Sequence, residues 1–128
     1  MDKAVTELIQ QRFSCRRHPE KAIETQTREQ LQAFLHNLPA GPFGSPTRFE
    51  LIAATEQDRQ SLKGVGTYGV IKNAAGFIVG AMGPGDKNLE DFGYRMEEAI
   101  LFATGLGLGT CWLGGSFTKS GFAKKMGV

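Results

Sequence analysis

The sequence predicts an α+β fold, a single layered domain over residues 1–128 with helices packed on a mixed or antiparallel sheet. Three observations predict it. Apolar residues recur at intervals of three and four in two short N-terminal stretches and in one long stretch over 88–105. Residues 48–54 alternate in polarity, as a half-buried strand does. Residues 74–82, AAGFIVGAM, form a continuous apolar run that suits a strand buried on both faces. The order is helix, helix, strand, strand, helix, strand.

Residues 2–13 read as the first helix, with Asp2 as cap and Val5, Leu8 and Ile9 on one face. Pro19 keeps the next stretch irregular. Thr27, three residues before Gln30, resembles a capping box, and Leu31, Phe34, Leu35 and Leu38 form the stripe of a second helix that Pro39 stops. PAGPFGSPT, residues 39–47, holds three prolines and two glycines and reads as an ordered loop. In the strand that follows, Phe49, Leu51 and Ala53 alternate with Arg48, Glu50 and Ile52. The polar segment EQDRQSLKG predicts a short helix ending at Gly64. Gly83, Pro84 and Gly85 end the apolar run. Asn88 is placed to cap the long helix, Glu90 and Asp91 stand in its first turn where the dipole favours acids, and Gly105 or Gly107 ends it. A short strand over Thr110–Leu113 and a last helix through Lys125 complete the reading.

Composition narrows the function classes. Apolar residues make up 41% and charged residues 22%, ordinary proportions for a soluble domain. A net charge of +2 without a dense basic stripe argues against nucleic acid. No apolar stretch is long enough to span a membrane, and Asp2 and Lys3 precede no signal-peptide core, so a cytoplasmic protein is expected. Cys15 and Cys111 form no CxxC pair, His18 and His36 complete no metal spacing, and the thiols are expected free. No Ser/His/Asp set and no paired carboxylates stand out, so no catalytic side chain is assigned and covalent hydrolysis is unsupported.

Three segments carry binding chemistry. In Arg12-Phe13-Ser14-Cys15-Arg16-Arg17, guanidinium forks and a hydroxyl suit phosphate oxygens where the first helix releases the chain, although cations at a helix C-terminus are also ordinary. In Gly105-Leu-Gly-Leu-Gly109-Thr-Cys-Trp-Leu-Gly114-Gly115 the glycines follow a helix and open a strand, the reverse of a dinucleotide loop, so Gly105 to Gly109 read as a helix-to-strand turn. Gly114 and Gly115 lack Cβ atoms and would let a ring system lie on backbone amides; Trp112 either packs in the core or borders that pocket. In the proline-rich loop, Phe43 would meet an aromatic ligand or a partner subunit, or sit in a buried turn.

Taken in order, these segments resemble the nitroreductase family of FMN enzymes. The residues that carry the resemblance are ELIQQRFSCRR, Ser45-Pro46-Thr47-Arg48-Phe49 and, most specifically, GLGLGTCWLGG. The wording PAGPFG…RFEL and GYRMEEAILFATGLGLGTCWLGG is closest to a divergent, thermophile-type branch. Where the family's central loop usually carries Asn-x-Gln before Pro, this chain has Phe43 and Ser45.

The resemblance implies a nitroreductase-like fold and an FMN-dependent oxidoreductase with NAD(P)H as donor. The acceptor would be a small molecule, a nitroaromatic, quinone or related compound. It implies FMN contacts at Arg12, Phe13, Ser14 and Arg16 for the phosphate and at Leu113, Gly114 and Gly115 for the ring system; Phe43, where the chain departs from the family pattern, is expected as a further cofactor contact from the loop's own aromatic character. Relatives continue beyond the position of Val128, so the resemblance implies a truncated chain. A partial sheet with exposed apolar area favours a homodimer. A flavin-binding relative without catalysis and an inactive structural fragment are the alternatives.

Overall fold

The computed structural model of the chain describes residues 4–18, 22–52 and 74–113. Within them run α1 (Val5–Gln11), α2 (Thr25–His36), β1 (Thr47–Ile52), β2 (Phe77–Met82) and α3 (Asn88–Gly105). The three helices pack on a two-stranded antiparallel sheet, so the α+β class holds. The register pairs Thr47 with Met82 at one end and Ile52 with Phe77 at the other.

Alternation along β1 does what the sequence predicts: Phe49 and Leu51 are buried while Arg48 faces solvent. They meet Leu31 and Leu35 of α2 and Met96, Ala99, Ile100 and Ala103 of α3 in one core. Phe34 and Phe102 stack with ring centroids 3.9 Å apart, fastening α2 to α3. Leu8 is the one buried residue of α1 and docks it against the Gly105 end of α3.

Three local expectations are corrected. The second helix starts at Thr25, with Arg28 N–H donating to the Glu24 carbonyl at 2.9 Å, so Thr27 lies inside the helix and caps nothing. Asn88 is helical, and its side-chain amide donates to the Gly83 carbonyl at 3.1 Å instead of to its own first turn. The apolar run shortens to Phe77–Met82 and is half-buried, because among the described residues it pairs only with β1 and packs on one helix layer. The end of α3 behaves as read. Gly107 has φ 85, its N–H donates to Thr104 and the Leu108 N–H to Ala103, which is a Schellman turn that turns the chain back toward α1. The predicted helix ending at Gly64, the last helix and the Asp2 cap lie outside the described residues.

Candidate functional site

Where α1 stops, the backbone becomes extended: Arg12 has φ −70 and ψ 132. Ser14 then forms a parallel bridge with Thr110, and the Cys15 N–H donates to the Thr110 carbonyl at 2.8 Å. Arg12 reinforces the join, with Nε donating to Thr110 Oγ1 at 3.2 Å and Nη2 to the Thr110 carbonyl at 3.4 Å. The structure therefore brings two of the predicted segments, 12–16 and the described part of 105–115, residues 105–113, together at Thr110. The strand expected over Thr110–Leu113 reduces to this single bridge.

Burial along this segment repeats every three residues, with Arg12, Cys15 and His18 half-buried and Phe13, Ser14, Arg16 and Arg17 exposed, as suits the polyproline-like angles of Arg12. Arg12 is half-buried and occupied with Thr110. Ser14 and Arg16 are exposed, and among the described residues their side chains make no hydrogen bond or ion pair. Within five residues stand one tethered guanidinium and, without a partner among the described residues, a hydroxyl and a second guanidinium, a donor set whose chemistry fits a phosphate monoester. Phe13 is two-thirds exposed. The Cys15 thiol lies against Gly109 and His18. Both cysteines are free thiols.

Beyond Thr110 the chain runs back along α3. Trp112 Nε1 donates to Glu97 at 3.2 Å, and the indole is 45% exposed, so Trp112 borders this surface instead of filling the core. Leu113 is half-buried at the end of the described stretch, and Gly114 and Gly115 lie outside the described residues.

The loop with Phe43 is held elsewhere on α3. Asp91, with no accessible surface, accepts from the Phe43 N–H at 2.8 Å and the Ser45 N–H at 2.8 Å. Arg95, one turn on, donates to the Ala40 carbonyl at 2.9 and 3.2 Å and pairs with Glu98 at 2.7 Å. Burial alone would raise the Asp91 carboxyl. The N–H groups of Phe43 and Ser45, the Ser45 hydroxyl and the Arg95 charge outweigh it and hold the group below the usual carboxylate range. Gly41 closes the clamp, since a Cβ there would run into the Asp91 side chain. Phe43 itself is 66% exposed, so the loop is a rigid mount and not a buried turn for this ring.

Asp91 and Glu97 are six residues apart, about 240° around the helix. The Phe43 loop and the Trp112 segment thus flank α3 on different sides, and the structure does not join Phe43 to Arg12, Ser14 and Arg16. A depression of 330 Å³ between α2 and β1 lies apart from these segments. Its charged rim is paired internally, His36 with Glu50 at 2.8 Å and Arg48 with Glu50 at 3.4 Å. Among the described residues no helix is long and apolar enough to cross a membrane.

The layered fold, with a basic N-terminal segment joined to the chain beyond the long helix, defines a domain of the nitroreductase type. The chain belongs to the family described as "Putative TM nitroreductase", whose model matches residues 4–127. That membership makes it an oxidoreductase domain of a family that generally binds flavin. A crystal structure of a nitroreductase family protein from Clostridium difficile 630 has the same fold, with a TM-score of 0.68 and 21% identity. The similarity covers 98% of this chain and 76% of that one. No curated protein matches the chain.

Proposed function

We propose that this chain is an FMN-dependent oxidoreductase. It would use NAD(P)H to reduce a small-molecule acceptor, a nitroaromatic, quinone or related compound, in the cytoplasm. The observation that carries the reading is the segment of Arg12, Ser14 and Arg16, pinned at Arg12 to the chain beyond α3, with Ser14 and Arg16 exposed and without side-chain partners among the described residues. These residues would hold the FMN phosphate, with Phe13 alongside. Leu113, Gly114 and Gly115, which follow the bridge in sequence, would present backbone to the isoalloxazine. FMN, when bound, supplies the two-electron chemistry, so no general base is required of the chain.

The assembly proposed is a homodimer. Val5 and Ile9, one turn apart on α1, and Phe13 just beyond its end are all more than half exposed, apolar surface suited to burial against a second copy. A second copy would also resolve the placement of Phe43, which flanks the other side of α3 from its own Trp112. Carried by the partner, the ring would lie against the flavin held by Arg12, Ser14 and Arg16.

An absorbance spectrum tests the cofactor reading. Protein incubated with FMN and freed of excess ligand should keep a flavin spectrum, and NAD(P)H should bleach it. Colourless protein after that treatment rejects the reading. Flavin binding without NAD(P)H oxidation would instead indicate a non-catalytic relative, and neither would indicate a structural fragment.

A further inference from the structure

We infer that Asp91 is a positioning residue for the flavin site, acting through Phe43. This rests on the flavin reading above and on the partner-borne placement of Phe43 proposed with it. A carboxylate without accessible surface spends both oxygens on the backbone of one short loop, on the N–H groups that bracket Gly44. The same loop is closed on itself, Gly41 N–H to Ser45 O at 3.0 Å and Gly44 N–H to Gly41 O at 2.9 Å. Arg95 grips its start at Ala40. Ser45 is buried at the far end.

All this fixing ends in a phenyl ring turned to solvent. A loop that needed only to connect α2 to β1 would not require a buried charge, whose desolvation must be offset by every bond it accepts. The position of Phe43 is what the clamp determines. A ring held in place loses little freedom when it stacks on a flat ligand, whereas the same ring on a loose loop must be ordered at that moment. Asp91 therefore contributes to flavin affinity without touching flavin.

Asparagine at position 91 keeps one acceptor and turns an amide toward the second N–H, so one bond is lost and a donor faces a donor. The test measures FMN affinity by quenching of flavin fluorescence. Wild type is compared with Phe43→Ala, Asp91→Asn, the double variant and Arg95→Met, with Tm recorded for each without FMN. Phe43→Ala should weaken FMN on the order of tenfold, the scale of a stacking contact. Asp91→Asn should weaken it comparably, and the double variant should bind no worse than the weaker single variant. Effects that multiply in the double variant overturn the role, as does a lower Tm with FMN affinity unchanged. If Asp91→Asn does not fold, Arg95→Met replaces it in the same cycle. Its smaller effect should vanish in the Phe43→Ala background, and persistence there is the contrary result. Wild type that binds no FMN rejects the flavin reading itself, and this role with it. Flavin-bound wild type with no coupling rejects this role alone.

Discussion

Arg12 and Thr110 meet through two hydrogen bonds, one from Nε to the Thr110 hydroxyl at 3.2 Å and one from Nη2 to its carbonyl at 3.4 Å. The arginine proposed to bind phosphate is thus also a tie between α1 and the chain beyond α3. Arg16, exposed and without a side-chain partner among the described residues, has no such second task.

The two arginines should therefore separate in mutagenesis. Arg12→Ala should weaken FMN by roughly 1.5–3 kcal/mol, the value of a charge-assisted hydrogen bond, and should also lower the Tm of the flavin-free protein. Arg16→Ala should weaken FMN while leaving that Tm unchanged. Titration of flavin fluorescence and thermal melts of both variants check this. Equal effects of Arg16→Ala on fold and ligand would contradict the division.

Acid should loosen the Phe43 loop in a defined direction. Asp91 titrates below its ordinary value of 3.8 because, against the cost of burial, it accepts from Phe43 and Ser45 near Arg95. A carboxyl depressed in the folded state stabilises it above the unfolded value, and that contribution is lost as pH falls through the folded one. Glu50, lowered from 4.5 chiefly by its hydrogen bond to His36, adds the same sign starting slightly higher. Tm should fall from about pH 5 downward, and the fall should be shallower in Asp91→Asn. An identical slope in the variant would show that the carboxylate does not carry it.

Gly107 should resist substitution. At φ 85 it closes the Schellman turn, and any Cβ meets the carbonyl that follows it. Gly107→Ala should cost about 1–2 kcal/mol, read as a lowered denaturation midpoint with an unchanged m-value. Leu35→Ala, emptying a site that is 2% exposed in the core, should cost about 2–5 kcal/mol by the same measurement.

The dimer can be tested at the exposed apolar surface of α1. Light scattering at micromolar concentration should report two copies, and Ile9→Glu, at a position 58% exposed, should shift the protein to monomer. A wild-type monomer at that concentration would remove the partner-borne role of Phe43.

How much of this was legible in the sequence depends on how far apart the interacting residues lie. The long helix was read with its observed bounds, Asn88–Gly105, because its stripe and its terminal glycines are local signals. The inward residues Phe49 and Leu51 of β1 were legible for the same reason. Asp91 was not: in the first turn of a helix an acid reads as a solvent-exposed answer to the dipole. Its real partners, Phe43 and Ser45, are 48 and 46 positions away. The apolar run of β2 suggested a doubly buried strand because periodicity records hydrophobicity and not the number of neighbours. For the candidate site, the sequence identified Arg12, Ser14 and Arg16 as donors. That Arg12 is shared with Thr110 depends on a contact 98 residues long.

That span also bears on the order of assembly. Joining Arg12 to Thr110 closes a loop 98 residues long, an entropy cost of about 4 kcal/mol from length alone, before any of the join's own bonds count. During synthesis the arginine segment leaves the ribosome well before its docking partner. A ribosome-held chain ending before Thr110 would carry every phosphate donor and still lack the frame that aligns them. Cofactor capture would then follow the synthesis of position 110, with ligand binding drawing this long closure to completion.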